Sequence, residues 1–266
     1  MPAVRFVSFC HPDSAFRMSR STTVNNDFYS DLGERWFEDD GHAIALLRAE
    51  GHFKTDYVRR AFARAGVAPG ARVLDVACGA GLVSLPLAAD GYRVRGVDLA
   101  EGALDVARRR VPAGHDATFA VADATALPDA DGSADAVLLL DVLEHVESVP
   151  DVLAEAARVV RPGGPVIFNT FNRTPLATLV AVHGFKFVTQ DAPDHVHVSR
   201  YFVPPESLRA SAAYVGLRME DVHGLRPRLD GAFWRSIARR RVDPAFRFVP
   251  TRSLAVGYIG TAIRER

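Results

Sequence analysis

The chain has 266 residues, 48% of them hydrophobic, which is enough to bury a substantial core in one or two domains. Its 32 basic and 32 acidic residues cancel, so the molecule as a whole offers no cationic field to gather a polyanion, and a nucleic-acid partner is not expected. Cys10 and Cys78 supply no disulfide framework and no run reaches the ~20 apolar residues of a membrane span, so a soluble, cytoplasmic protein is expected.

The first seventeen residues lack the basic start, apolar core and small-residue cleavage site of a secretory signal. Met18 opens an ordinary polar beginning, so either Met1 or Met18 serves as the start and residues 1–26 are expected to be a disordered extension. One domain is expected over 27–266. Ala43 to Ala65 reads as a helix. Short β-branched runs then alternate with amphipathic ones: ARVLDVA, a helix near Gly81 to Asp90, YRVRGVDL, a helix from Ala103 to Arg110, ATFAVAD, ADAVLLLD, a helix near Val149 to Val160, the turn RPGG, and PVIFNTF. A helix from Pro205 to about Val215, a strand at Leu217 to His223 and an apolar alternation from Ser253 to Ile263 follow. This order predicts an α/β fold: a doubly wound, mostly parallel, seven-stranded sheet with helices on both faces.

In VLDVACGAG, Val73 to Gly81, an apolar strand carries an acid at its end and runs into a loop of small residues before a helix. Ala77, Gly79 and Gly81 let a ligand lie against backbone, and glycine turns at helix N-termini bind anions. Asp75, however, would repel a pyrophosphate and attract a cation. S-adenosylmethionine, with cationic amino and sulfonium groups, fits better. Asp98, ending the second strand, is placed to accept both ribose hydroxyls, and Asp123, after the third, to contact the adenine amino group. Leu99, Ala124 and Leu140 lie beside these strand ends and complete the expected cofactor-binding set.

LLLDVLEHV, Leu138 to Val146, ends in three ionisable side chains within five residues. In a helical turn Asp141, Glu144 and His145 would share one face, open to a metal ion, general-base duty or solvent.

Together VLDVACGAG, GVDL, VADATALP, DVLEHV and RVVRPGG resemble the class I S-adenosylmethionine-dependent methyltransferases, which implies a Rossmann-like methyltransferase fold. The further run FNTFNR, LVAVHGFKFV and HVSRYFVPPESL resembles the ubiquinone-biosynthesis O-methyltransferases. That resemblance implies an acceptor that is a hydroxylated aromatic or quinol, such as a ubiquinone precursor. It also implies an upstream arginine on the cofactor, for which Tyr57, Arg59 and Arg60 stand near the matching place, and a loop glycine where this chain has Ala77. The acid-histidine turn of that branch resembles a divalent-metal site that Asp141, Glu144 and His145 match, and such ligands suit Mg²⁺, Mn²⁺ or Zn²⁺.

Methyl transfer is an in-line displacement, so alignment does much of the catalysis. A phenol, with a pKa of ~10, also needs a base or a cation at neutral pH. His197, preceding SRYFVPP, is assigned acceptor contact or base duty with Glu144 and His145 as the other catalytic candidates, while His195 and His183 read as surface or packing histidines. Thr174 to Val188 places Leu176, Leu179, Val180 and Val182 on a rough helical stripe within a substrate cap over 172–205. Its outer side, with Lys186, offers weak peripheral contact with the inner face of a membrane, to which the six arginines of Arg235 to Arg252 would add attraction. An N- or C-methyltransferase of secondary metabolism and a non-catalytic S-adenosylmethionine-binding protein remain alternatives. Oligomeric state is not legible.

Overall fold

The computed structural model describes residues 27–191 and 198–266. The expected extension at 1–26, the two candidate starts, Cys10, His195 and His197 lie outside them.

Five strands run parallel: β1 (Arg72–Val76), β2 (Arg93–Asp98), β3 (Ala117–Val121), β4 (Ala136–Leu140) and β5 (Pro165–Phe171). β6 (Leu217–Pro227), β7 (Phe248–Thr251) and β8 (Gly257–Arg264) complete one sheet in the order β3-β2-β1-β4-β5-β8-β6-β7, with β8 antiparallel to β5 and β6, and β6 antiparallel to β7. The doubly wound, mostly parallel α/β sheet is therefore as expected, with eight strands in place of seven. The added strand, β7, sits inside the arginine-rich tract and contains Pro250 opposite Leu225. Proline has no N–H for a ladder, so such a strand belongs at an edge, which is where β7 lies.

Strand side chains alternate between two cores. On one face Val73, Leu138, Ile167 and Ile259 pack with Val58 and Phe62 of the 22-residue helix α2 (Ile44–Ala65) and with Leu87 of α3 (Ser84–Ala89). On the other, Leu74, Val76, Leu139 and Phe168 meet Val152 and Leu153 of α5 (Val149–Val159) and Leu208 of α8 (Pro205–Tyr214). β4 is covered on both sides, so all five of its residues are apolar and buried. α2 stops where Gly66 takes φ 68°, and α5 starts where Ser148 Oγ accepts the Asp151 N–H. α3 begins at Ser84 and not near Gly81, because Gly79 and Gly81 hold φ 53° and 80°, outside the right-handed helical region. α9 (Gly231–Arg239), capped by Asp230 on Ala232 and Phe233, forms the start of the arginine-rich tract, and a loop joins it to β7.

The segment expected to form the cap opens with the short helix α6 (Pro175–Thr178), whose Thr174 hydroxyl accepts from Ala177, then a π-helical turn (Leu179–Gly184) and α7 (Phe185–Val188). The expected apolar stripe faces largely the other way. Ala177 and Ala181 pack with Phe202, whereas Leu176, Leu179, Val180 and Phe187 are exposed.

Residues 27–42 form a strap: a 3₁₀ turn (Asp27–Leu32) and the helix α1 (Arg35–Glu38) lie against α4 (Glu101–Arg109) and the loop after β1. Leu32 and Trp36 pack with Ala80, Ala100, Ala103 and Val106, and Arg109 and Arg110 reach Glu34 at 3.1 and 2.6 Å. The backbones touch at Gly102, where a Cβ would stand 2.1 Å from the Ser30 carbonyl oxygen. Gly102→Ala is therefore expected to detach the strap while the sheet stays folded. Hydrogen exchange over residues 28–38 should accelerate at least ~10-fold, with β1 to β5 unchanged, because the strap is a peripheral unit able to open locally. Unchanged exchange in the strap would contradict this account of the contact.

Candidate active site

The strand order reverses between β1 and β4, whose connections leave to opposite sides of the sheet, and the crevice outside their carboxyl ends is where open α/β sheets receive ligands. Asp75 closes β1 there, buried, accepting a 2.6 Å hydrogen bond from Ser84 Oγ, and burial pushes its carboxyl up to about 7. Beyond it Ala77, Gly79 and Gly81 all take positive φ. The left-handed conformation costs a non-glycine residue ~1–2 kcal/mol, so Ala77 at φ 58° is strained where Gly79 is not. Gly79 also has Trp36 directly above it: a Cβ would come within 2.9 Å of the indole.

Asp98 at the end of β2 holds this loop in place. Its two oxygens accept the N–H groups of Gly79 and Ala100, each at 2.8 Å, while burial pushes its carboxyl up. Each oxygen keeps a second lone pair for a ligand hydroxyl. Leu99 beside it is 62% exposed, an apolar face next to a polar clamp. Asp123 is exposed and closes its own turn through Thr125, with Oδ1 accepting from the backbone N–H and the hydroxyl at 2.8 and 2.7 Å. Ala124 follows it half-buried, and Leu140 is buried at the end of β4.

At the centre stands Lys54 of α2, a residue the sequence reading did not single out. It is 2% exposed, its ammonium is paired with Asp141 Oδ2, and Glu50 Oε1 lies 3.4 Å away. Burial works against the charge, yet Asp141 and Glu50 hold the ammonium above its ordinary range. Tyr57, Arg59 and Arg60, the residues expected to face the cofactor, are engaged elsewhere. The Tyr57 hydroxyl donates to Asp221 at 2.7 Å, Arg59 reaches Asp90 at 2.7 Å, and Arg60 lines a groove beyond α2.

The expected metal triad is not formed. Residues 141–148 make an irregular turn, and Asp141 takes φ 57°, so Asp141, Glu144 and His145 do not share a helical face. Asp141 Oδ1 accepts from Asn169 Nδ2 at 2.5 Å while Oδ2 is held by Lys54, so an ammonium occupies the carboxylate that a divalent ion would need. Glu144, 1% exposed, turns instead to Thr170 of β5, whose hydroxyl donates to Oε2 at 2.7 Å. Among the described residues no group of three His, Cys, Asp or Glu side chains is placed to hold a metal, and this donor set does not fit Mg²⁺, Mn²⁺ or Zn²⁺.

Glu144 Oε1 is buried without a hydrogen-bond partner, and burial, with the Asp141 charge second, pushes this carboxyl up to about 8. Burial likewise pushes Glu50 up to about 7 against the opposing pull of Lys54. His145 meets the Tyr29 ring edge-on at 6.0 Å, which brings the strap to the same turn. Burial, then the charges of Asp141, Glu144 and Asp98, drive the Tyr29 phenol far above its usual range, so it stays neutral. Glu50 and Asp141 thus flank the ammonium of Lys54, the charges of Glu144 and Asp75 also act on it, and Asp98 stands apart at the end of β2. Such a donor set suits a ligand with two cationic groups and one carboxylate, the charge pattern of S-adenosylmethionine.

Residues 74–168 match a family described as a methyltransferase domain. A ubiquinone biosynthesis O-methyltransferase of Xanthomonas axonopodis pv. citri is 34% identical over 206 residues, covering 75% of this chain and 82% of that protein. Its namesake in Bordetella avium is also 34% identical, with the same coverage. The crystal structure of magnesium protoporphyrin IX methyltransferase from Synechocystis PCC 6803 aligns with a TM-score of 0.57 at 22% identity, over 81% of this chain and 84% of that one. A methyltransferase from Thermotoga maritima gives 0.56 at 18% identity, over 87% and 94% of the two chains. At such identities these two structures speak for the fold alone, whereas the two longer sequence matches speak for descent. The chain belongs to the class I S-adenosylmethionine-dependent methyltransferases and, within them, resembles the ubiquinone biosynthesis O-methyltransferases.

Proposed function

We propose that this methyltransferase acts on the hydroxyl of a hydroxylated aromatic or quinol, and that its acceptor is a ubiquinone precursor. The observation that carries the oxygen acceptor is Glu144: a buried carboxyl at the mouth of β4 with Oε1 unpartnered and its pKa pushed up to about 8. A base is most effective when its pKa approaches that of the proton it removes, and a carboxylate near 8 is far better matched to a phenol of ~10 than an ordinary one near ~4. The ubiquinone precursor rests on the names of relatives 34% identical to this chain.

In this reading the cofactor supplies an electrophilic methyl group on a cationic sulfur. Asp98 would accept from its ribose hydroxyls, and Leu99, Asp123, Ala124 and Leu140 would help to hold it. Ala77, Gly79 and Gly81 would give it backbone to lie on, Asp75 would support the loop through Ser84, and Lys54, beside Asp141 and Glu50, would supply the positive charge facing its carboxylate. Glu144 receives the acceptor's proton, His145 and Tyr29 close the acceptor side, and His197, outside the described residues, contacts the acceptor. Residues 27–266 act as one domain with the substrate cap at 172–205. The outward side chains of Leu176, Leu179 and Phe187, 48%, 58% and 67% exposed, give that cap a surface for weak contact with a bilayer that holds a prenylated acceptor. Loss of sedimentation with anionic vesicles on changing all three to serine, with turnover on a water-soluble catechol retained, is the expected result. Equal sedimentation of the two proteins would remove the membrane contact from the reading.

Incubating the protein with labelled cofactor and a panel of catechols, quinols and aromatic amines tests the reaction class by product mass. Methylation of amines alone would overturn the oxygen acceptor, and turnover of none would favour a binding protein. Asp98→Ala should weaken cofactor binding by ~1.5–3 kcal/mol, the scale for losing hydrogen bonds to a charged group, as calorimetry would read. Unchanged affinity in a folded variant removes Asp98 from the site.

The pH profile follows from the direction of the Glu144 shift. Below about 8 the side chain is mainly protonated and cannot accept, so turnover should rise with pH through an inflection near 8 and level off above it. Glu144→Gln should abolish that inflection and lower turnover by ~10²–10⁴-fold while cofactor affinity is kept. A variant with the same profile as the parent would exclude Glu144 as the base.

A further inference from the structure

The flank of α2 turned away from Lys54 carries a second cationic site. Phe53, Tyr57, Arg60 and Arg64 recur at the spacing of one helix face and look across at the ends of β6 and β7, enclosing a groove of about 590 Å³. Small-molecule sites span ~300–1,000 Å³. The floor is apolar, with Phe53 and Tyr57 buried and Phe248 half-buried beside them. Two further arginines, Arg228 and Arg247, close it from the strand side.

These four guanidinium groups are incompletely neutralised. Arg64 reaches Asp221 at 3.0 Å and Arg228 lies 3.4 Å from Asp230. Among the described residues Arg247 donates to the carbonyls of Pro244 and Phe246, at 2.7 and 2.8 Å, and neither it nor Arg60 forms an ion pair. Among the described residues the one acid lining the groove is Asp56, which pairs with Arg59 at 3.2 Å. Positive charge is therefore concentrated here in a chain whose formal net charge is zero. Like charges facing one cavity repel, and a bound anion would relieve that repulsion. Guanidinium forks match phosphate oxygens in pairs, and several of them select for multiple negative charges. The limited volume and the zero net charge of the whole molecule fit a small ligand and not a long polyanion.

We propose that this groove binds a small phosphorylated anion bearing two or more negative charges, at a site separate from that of methyl transfer. The test is calorimetric titration of the full chain with inorganic tripolyphosphate and with ATP at near-physiological salt. Saturable one-to-one binding of both is expected, weakened at least ~10-fold in the Arg60→Ala, Arg247→Ala double variant, since charge-assisted hydrogen bonds are lost. Neither residue makes an ion pair, so the double variant should fold, and unchanged S-adenosylmethionine affinity would verify that. Arg93→Ala with Arg209→Ala removes the same charge elsewhere and should leave the anion affinity within ~2-fold. Vesicles containing phosphatidylinositol 4-phosphate distinguish the source of the phosphate. Vesicle binding displaced by tripolyphosphate would identify a lipid headgroup, and binding of the free anions alone would identify a soluble ligand, each within the proposal. Absence of saturable binding of either anion, or equal weakening in both double variants, overturns it.

Discussion

The ion pair between Lys54 and Asp141 is the constraint from which the rest of the site follows. An ammonium at 2% exposure could not be left unpaired in the interior, because the desolvation penalty would be several kcal/mol. Asp141 must therefore face back under α2, and it does so by adopting φ 57°, a conformation that aspartate tolerates better than most residues. This reversal at the end of β4 breaks what would otherwise have been a helical turn. It sends Glu144 toward Thr170 and leaves Glu144 Oε1 without a partner. One contact, spanning 87 residues of sequence, thus ties α2 to the sheet and shapes the loop after β4.

The same pair organises the protons of the site. Glu50, Asp75 and Glu144 are pushed up to about 7, 7 and 8 by burial, and each also feels the charge of Asp141. The negative charge of Asp141 adds to burial in disfavouring the ionised form of each. A ligand bringing positive charge into the crevice favours the ionised forms, so cofactor binding and proton release are linked.

Strands and long helices were legible because their periodicity reports burial directly. The all-apolar run of β4, the alternation through β8, the Ser148 cap of α5 and the prolines that open α8 needed no knowledge of partners. The acids at the ends of β1, β2 and β3 were legible too, because a strand followed by a loop of small residues places its last side chain at the ligand crevice. Lys54 was not, since a lysine within an amphipathic helix reads as a solvated face until a distant carboxylate is known to meet it. The helical face once expected of Asp141, Glu144 and His145 failed for the same reason. β7 escaped notice because an edge strand of four residues containing Pro250 has neither the length nor the ladder that mark an interior strand.

The glycine loop shows how a ligand motif and a packing motif coincide. Gly79 donates its N–H to Asp98, holds φ 53°, and has Trp36 where its Cβ would be. Only the first of these concerns the carboxylate proposed to meet the ribose, whereas the third seats the strap over the loop. The strap then delivers Tyr29 to the His145 turn, the side proposed for the acceptor. Variation in the strap could reshape that side without altering any strand or any acid at a strand end. Divergence in substrate is therefore expected to concentrate in the strap and the cap, whose sequences obey no strong period, while the sheet that holds the methyl donor stays recognisable. This physical division explains why fold and cofactor are far more legible in this chain than the identity of its acceptor.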